Sequence, residues 1–500
     1  MLGFYALVML LALPAACLPA QDDTAAASSK LKAGAATSNI TPPLGTRIVG
    51  GFAPYPAAHI HDELHARCLV LDDGQTQLAL VVCDLLGVHR SVSVEARRLI
   101  EAETGIPPQN VLISATHTHS AGTALGSNRY ANEQDLDDYQ RSVARGIADG
   151  VRCALNLLRP TEIAFTRADV PEQVHNRRWW MRPESVPPNP FGEIDQVKMN
   201  PPVRSPDLVK PAGPVDPTVS IIALREPDGR LLSAYCAYSL HYVGGSGPAH
   251  VSADYFGMFC EALKRRQPGG DADPPFVALL ANGTSGDINN IDRLNPRGSR
   301  VPYQQMREVA EDVASKVQAA IDQIESWQDR VSLDSRAREL QLQWRSIGPE
   351  MLQWAEAVES QAPRVPGGDV PVGAKFATER EWVQRLSYAG RVQLLAAAKG
   401  PALVPVQVFR IGDIAIGTSP CETFAEMGLE YKQRSPLPHS FMVSLAHGYI
   451  GYLPTPRHFE LGGYETWPGT NFLEPEASVK MLDALLDMTS ELARQSNEKK

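Results

Sequence analysis

Short apolar runs bounded by turn residues recur along the chain and predict buried strands. Residues 68–72 and 77–84 flank Asp72-Asp73-Gly74, which predicts a strand pair joined by a turn. Residues 219–224 and 231–238, across Pro227-Asp228-Gly229, predict a second pair, and residues 404–411 with 414–417 a third. Residues 111–115, 275–280 and 441–445 read as further buried strands. Helices are predicted over 93–104 (ending at Gly105 and Pro107), 131–158 (stopped before Pro160), 255–266, 303–327, 340–354, 378–399 and 477–496. A Pro/Gly-rich link covers 363–373. Residues 172–215, rich in Pro, Asn, Trp and Arg, are too long for an ordinary connection and predict a surface excursion over a site. Strands and helices interleave without an internal repeat or a break in composition, so one large α/β domain is expected.

The N-terminus stands apart. Residues 2–18 are almost uninterruptedly apolar and end in Leu18-Pro19-Ala20, before the polar run Gln21-Asp22-Asp23-Thr24. This reads as a signal peptide over 1–20, followed by a disordered leader over 21–34 and the main domain over 35–497. The apolar stretch is short for a membrane span, and nothing later reaches the ~18 continuous apolar residues a span needs. A secreted or periplasmic protein is therefore expected. Ala15-Ala16-Cys17 offers the alternative of a lipid anchor at Cys17, although Pro14 stands where Leu is usual.

Composition narrows the function classes. With 47 basic against 57 acidic side chains and a net charge of −10, the chain lacks the cationic surface that nucleic acid requires. Beyond Cys17 there are six cysteines and no C-x-x-C pair, which excludes a cysteine-ligated zinc finger and leaves disulfide pairing unreadable.

The chemistry gathers just after predicted strands, where α/β folds expose their sites. Ser114-Ala-Thr-His117-Thr-His119-Ser-Ala-Gly122 follows residues 111–113. In an extended strand, side chains two apart share a face, so His117 and His119 could converge on a metal such as zinc, or form a structural pair. His241 ends the 231–238 run, and Asp254 could either cap the next helix or orient a ligand histidine. Asn282-Gly-Thr-Ser-Gly-Asp287-Ile-Asn289-Asn290 is a glycine-rich turn lacking the Gly-Lys-Ser/Thr of a nucleotide loop. It also holds an Asn-x-Thr sequon, but a buried turn is the expectation. Glu422 follows the 414–416 strand, and a place in the first turn of a helix would suit its carboxylate. Gly448-Tyr449-Ile-Gly-Tyr452 and Tyr464 complete the set.

Thr116-His-Thr-His-Ser120, the His241 segment with Ser252-Ala-Asp-Tyr255, Asn282-Gly-x-x-Gly-Asp287, Pro420-x-Glu-Thr423 and Gly448-Tyr-x-Gly-Tyr452 resemble, in order and spacing, the neutral/alkaline (non-lysosomal) ceramidase family from about residue 36 to 464. The resemblance implies mixed sheets flanked by helices and one Zn2+ per chain. It implies hydrolysis of the amide of an N-acylsphingosine, or a related amide, to a fatty acid and an amine. His117, His241, Glu422 and Tyr452 match the metal ligands, Tyr449 being the alternative to Tyr452. His119, Arg177 and Tyr464 match residues lining the reacting amide.

The chain departs from the family twice. Asn289 occupies the place of the nucleophilic serine in the Gly-Asp-x-Ser pattern, with Ser285 the nearest hydroxyl, and no C-terminal β-sandwich is expected. The expected activity is thus a zinc-dependent amidohydrolase using water, with Asn289 binding the carbonyl or orienting that water. The alternatives are hydrolysis of an ester or a polar, glycan-derived substrate, and a non-catalytic binding homologue. The expected partner is a small-molecule or lipid amide, with membrane-surface contact left open and no protein partner inferable. A ceramide pocket would need an apolar lining, for which Trp179-Trp180-Met181 and Phe256-Gly-Met258 are candidates.

Overall fold

The structure, a computed structural model, describes residues 29–51, 54–126, 128, 129, 131–297, 301–361 and 377–498. The expected signal peptide, the Cys17 site, most of the leader and the 363–373 link lie outside these residues. The leader ends earlier than expected, because Lys32 already opens a strand.

Three larger sheets organise the described residues, and each is wired in the same way. A first strand pairs antiparallel with a second, a tight hairpin makes the second antiparallel to a third, and a helical crossover sets a fourth parallel to the third. The first sheet runs Lys32–Asn39, His65–Asp72, Gln77–Cys83, Val111–Ala115, with Arg90–Thr104 as crossover helix and Arg159–Pro160 on its edge. The second runs Glu162–Asp169, Thr218–Arg225, Leu231–Tyr238, Val277–Asn282, crossed by Asp254–Arg266. The third runs Leu333–Leu342, Ala402–Ile411, Ile414–Thr418, His439–Val443, crossed by Ala425–Arg434. After each fourth strand a further helix (Asp138–Asn156, Gln304–Asp322, Ala477–Glu498) packs beside the crossover helix. The expectation of no internal repeat therefore holds for residue identity and fails for topology.

The third and fourth strands of each sheet are nearly all buried because both faces are covered, whereas first strands such as Leu333–Leu342 keep polar, partly exposed positions. Leu69 and Leu80, Ile222 and Leu279, and Phe409 and Phe441 meet in one core shared by the three sheets. The outer faces are buried by the helix pairs. Each third strand and its parallel partner run the same way, so their C-terminal ends deliver loops to a common place.

Several expectations are corrected. The helix predicted from 131 starts at Asp138, because the Asp137 side chain accepts from Gln140 N while Gln140 reaches back, a capping box that sets the start. Residues 340–342 end a strand instead of opening a helix, Leu340 pairing with Val404 and Leu342 with Ala402; the helix is Pro349–Gln361. The 172–215 excursion is built around short strands, among them Arg178–Met181 between Val197–Met199 and Leu208–Pro211. Trp179 and Met181 pack with Val186 in a small satellite cluster, and Phe256 lies in the core of the second sheet. All six described cysteines are free, with only Cys153 exposed. Among the described residues no helix is long and apolar enough to cross a membrane.

Candidate metal centre

The histidine pair converges for a reason other than strand alternation. The strand ends at Ala115, and His117 adopts a left-handed backbone with φ of 74°, so the chain turns between the two histidines. His117 N donates to Leu85 O at 2.9 Å and its ring Nδ1 faces Leu86 O at 2.7 Å. Its Nε2 then lies 3.1 Å from His119 Nε2. The His119 ring stacks on Tyr242 with centroids 3.6 Å apart and also bonds the Gly50 carbonyl. Gly50 permits that approach, since a Cβ there would sit 2.7 Å from His119 Cβ.

His241 follows the third strand of the second sheet, its Nδ1 3.1 Å from Ser285 O. Asp254 does not touch a histidine. Its carboxylate accepts from Val243 N and Gly244 N, both at 2.9 Å, and so fixes the loop that leaves His241. Glu422 is not in a helical turn either. It lies in a two-residue strand parallel to Tyr452–Leu453, and the helix begins at Ala425, whose N–H donates to Asp287 Oδ1 at 2.9 Å. Gly286 passes so close that a Cβ would fall 2.3 Å from Glu422 O. The Gly-Asp pair thus docks the turn onto the Glu422 segment. Asn282 is fully buried and donates to Thr116 O at 2.9 Å, which leaves no exposed sequon.

Glu422 Oε1 accepts from the Tyr449 hydroxyl at 2.7 Å. Its Oε2 is buried with no hydrogen bond of acceptable geometry, 3.2 Å from His117 Nε2 and 3.7 Å from His241 Nε2. Burial acts to raise the Glu422 carboxyl, but His117 and the Tyr452 and Tyr449 hydroxyls outweigh it and bring it down to about 2. Burial holds His241 and His119 well below the usual imidazole range, with the Arg177 guanidinium adding to the effect. With Nδ1 of His117 and of His241 turned to carbonyl oxygens, each Nε2 points into the site toward Glu422 Oε2. The Nε2 of His119 joins them, the three histidines lying with ligand atoms within 4.8 Å of one another. Converging acceptors in a buried site call for a cation, so the donor set fits a metal of the zinc type.

Two cavities, of about 290 Å³ and 330 Å³, meet at this cluster and share His119, Tyr452 and Tyr464 as walls. Tyr452 lines both, whereas Tyr449 lines only the larger. Arg177 reaches the smaller one. Its Nε donates to Glu465 Oε1 at 2.8 Å, its Nη1 lies 3.4 Å from His241 Nε2, and its Nη2 is buried without a partner. Glu465, fully buried, also accepts from Arg178 Nη1 at 2.6 Å. The sequence reading missed this clamp, for which adjacency to Tyr464 was the only cue. Asn289 lines neither cavity: its Nδ2 donates to Asn200 Oδ1 at 2.6 Å and its Oδ1 accepts from Ile291 N at 3.0 Å. Asn200 lines the smaller cavity. Ser285 Oγ is turned to Asn282 Oδ1 at 2.7 Å. None of Trp179, Trp180 or Phe256 lines either cavity.

The family model of neutral/alkaline non-lysosomal ceramidase, N-terminal, matches residues 31–301. The neutral ceramidase of Pseudomonas aeruginosa is 21% identical over 456 residues, 82% of this chain and 64% of that protein, so the chain spans less than two thirds of that relative's length. A solved structure of a ceramidase complexed with C2 is similar with a TM-score of 0.66 and 17% identity, over 93% of this chain and 76% of the other. A crystal structure of neutral ceramidase from Pseudomonas aeruginosa gives 0.67 and 18%, over 94% and 75%.

Proposed function

Because the chain belongs to the neutral/alkaline non-lysosomal ceramidase family, we propose that it is an exported, zinc-dependent amide hydrolase, its catalytic domain covering 35–497. The observation that carries this reading is the unpartnered Glu422 Oε2 facing the Nε2 atoms of His117 and His241.

His117, His241 and Glu422 would hold the ion, with Tyr452 completing the set and His119 at its edge. When bound, such an ion polarises the amide carbonyl and acidifies water. His119 Nε2 accepts the proton of the attacking water, whose oxygen bonds to the carbonyl carbon. Negative charge develops on the carbonyl oxygen, and the free Nη2 of Arg177 is the donor that meets it. The C–N bond then breaks, His119 returns the proton to the nitrogen, and a carboxylic acid and an amine leave. Tyr464 closes the wall between the two cavities, where the amide lies. No serine is required. Family membership makes N-acylsphingosines the first amides to try, with other acyl amides beside them.

Purified protein incubated with N-acylsphingosine and with simple acyl amides, before and after chelation, tests the proposal. Release of amine that chelation stops and zinc restores is the expected outcome; turnover indifferent to chelation, or none on any amide, rejects it. Asn289 acts through Asn200, so Asn289→Ala is expected to lower kcat/KM by roughly tenfold, the scale of one lost hydrogen bond, with zinc content unchanged. Turnover equal to the parent would remove Asn289 from the site.

A further inference from the structure

The two cavities each hold two cationic side chains and one carboxylate, but the charges are paired differently, Arg177 of the smaller one being clamped by Glu465. The smaller one carries Lys198 and Arg177 beside Asp195, together with Val186, Val197 and Met199. The larger one is walled by Arg129 and Arg391, and among its described lining residues the only carboxylate is Glu422, which faces the histidines. Arg129 is half-buried over the Tyr449 ring, 6.0 Å from its centroid, and has no hydrogen-bond or ion-pair partner among the described residues. Arg391 is held in place: its guanidinium lies over Tyr388 at 5.2 Å, and its stem fills the space where Gly469 lacks a side chain, a Cβ there falling 2.5 Å from Arg391 Cβ. The half-buried guanidinium of Arg129 costs desolvation that a bound oxyanion would offset, and Arg391 adds a second guanidinium to the same cavity. Asn128, Ser387 and Thr470 add polar groups to the same wall.

We propose that this cavity is an oxyanion subsite, so that the amide cleaved at the centre belongs to a substrate bearing a carboxylate, sulfonate or phosphate on one side of the scissile bond. The inference rests on the amide-hydrolase reading above and gives it a substrate class: an N-acyl amino acid or a similar acyl amide with an acidic head. Such a molecule places its amide between the cavities at His119, Tyr452 and Tyr464. Its charged head enters beside Arg129 and Arg391, and its acyl chain enters beside Val186, Val197 and Met199.

N-lauroylglycine and the uncharged N-lauroylpropylamine, alike at the amide and different by one charge, are the probes. The parent is expected to favour N-lauroylglycine in kcat/KM by roughly 10- to 100-fold, the range of a charge-assisted hydrogen bond. Arg129→Gln and Arg391→Gln are each expected to shrink that ratio. Calorimetric titration of the chelated protein with both probes gives a readout independent of turnover, and the same preference and the same dependence on the two arginines are expected there. Cleavage of both amides with equal kcat/KM, or equal affinity for both, overturns the subsite and leaves the hydrolase reading standing. Failure to cleave either amide, with a calorimetric preference lost in the arginine variants, supports the subsite and counts against the hydrolase.

Discussion

Glu422→Gln is expected to leave a folded protein that no longer retains zinc and turns over its substrate at least ~10³-fold more slowly. In the parent, Oε2 is an acceptor facing the Nε2 atoms of His117 and His241 at 3.2 Å and 3.7 Å. A glutamine amide of the same shape places donors there, so the variant satisfies both imidazoles without a cation. Loss of a ligand charge removes several kcal/mol of stabilisation from the transition state, and each ~1.4 kcal/mol is tenfold in rate. Atomic spectroscopy should find near one zinc per chain in the parent and far less in the variant. Melting offers a second readout. A bound ion stabilises the native state by about 4 kcal/mol at a thousandfold excess over its dissociation constant, so chelation should lower the parent's Tm and leave the variant's unmoved. His117→Ala should lose zinc as well, but at a cost in stability, because it also leaves Leu86 O without its ring partner. Full zinc occupancy in Glu422→Gln would remove this carboxylate from the metal site.

Arg177→Lys is expected to lower kcat by ~10² to 10³, about 3 to 4 kcal/mol, with zinc content near that of the parent. The lysine keeps the charge opposite Glu465 but cannot both bond that carboxylate and reach the carbonyl oxygen, as the fork of Nε and Nη2 does. The loss should therefore fall on kcat more than on KM, since the contact strengthens as charge develops. Glu465→Gln provides the companion measurement. It weakens the clamp on Arg177 and Arg178 together, and should produce a smaller fall in kcat than Arg177→Lys. If Arg177→Lys kept its kcat within a few-fold of the parent, the oxyanion would have another donor.

Much of the candidate site is legible in the amino-acid sequence, and particular residues show why. His117, His241 and Glu422 stand directly after apolar runs, and apolar runs bounded by turns report buried strands from local sequence alone. The segments of His117 and His241 also fall within the residues that the family model matches. The same local logic fails where long-range pairing decides the outcome. Leu340 and Leu342 belong to a strand because Val404 and Ala402 lie opposite them. Glu422 lies outside the helix because its segment pairs with Tyr452 and Asp287 caps the helix three residues later. Asn289, expected at the reacting centre, sits behind Asn200 because its strand pairs with His175–Asn176.

The sequence by itself determined the α/β class, the strand-end positions of the chemistry and the acceptor-rich residue types that suit a metal. These properties belong to a residue and its near neighbours. Tertiary structure decided the rest: the threefold repetition of one sheet topology, the convergence of His117, His241 and Glu422 from three sheets, the Glu465 clamp on Arg177, and the gathering of Arg129 and Arg391 on one cavity. Each of these joins residues tens to hundreds of positions apart, and it arises from the backbone pairing and close packing that bring them together. A left-handed turn at His117, or a Gly286 where a Cβ would fall 2.3 Å from Glu422 O, has meaning only once the partner segment is in place.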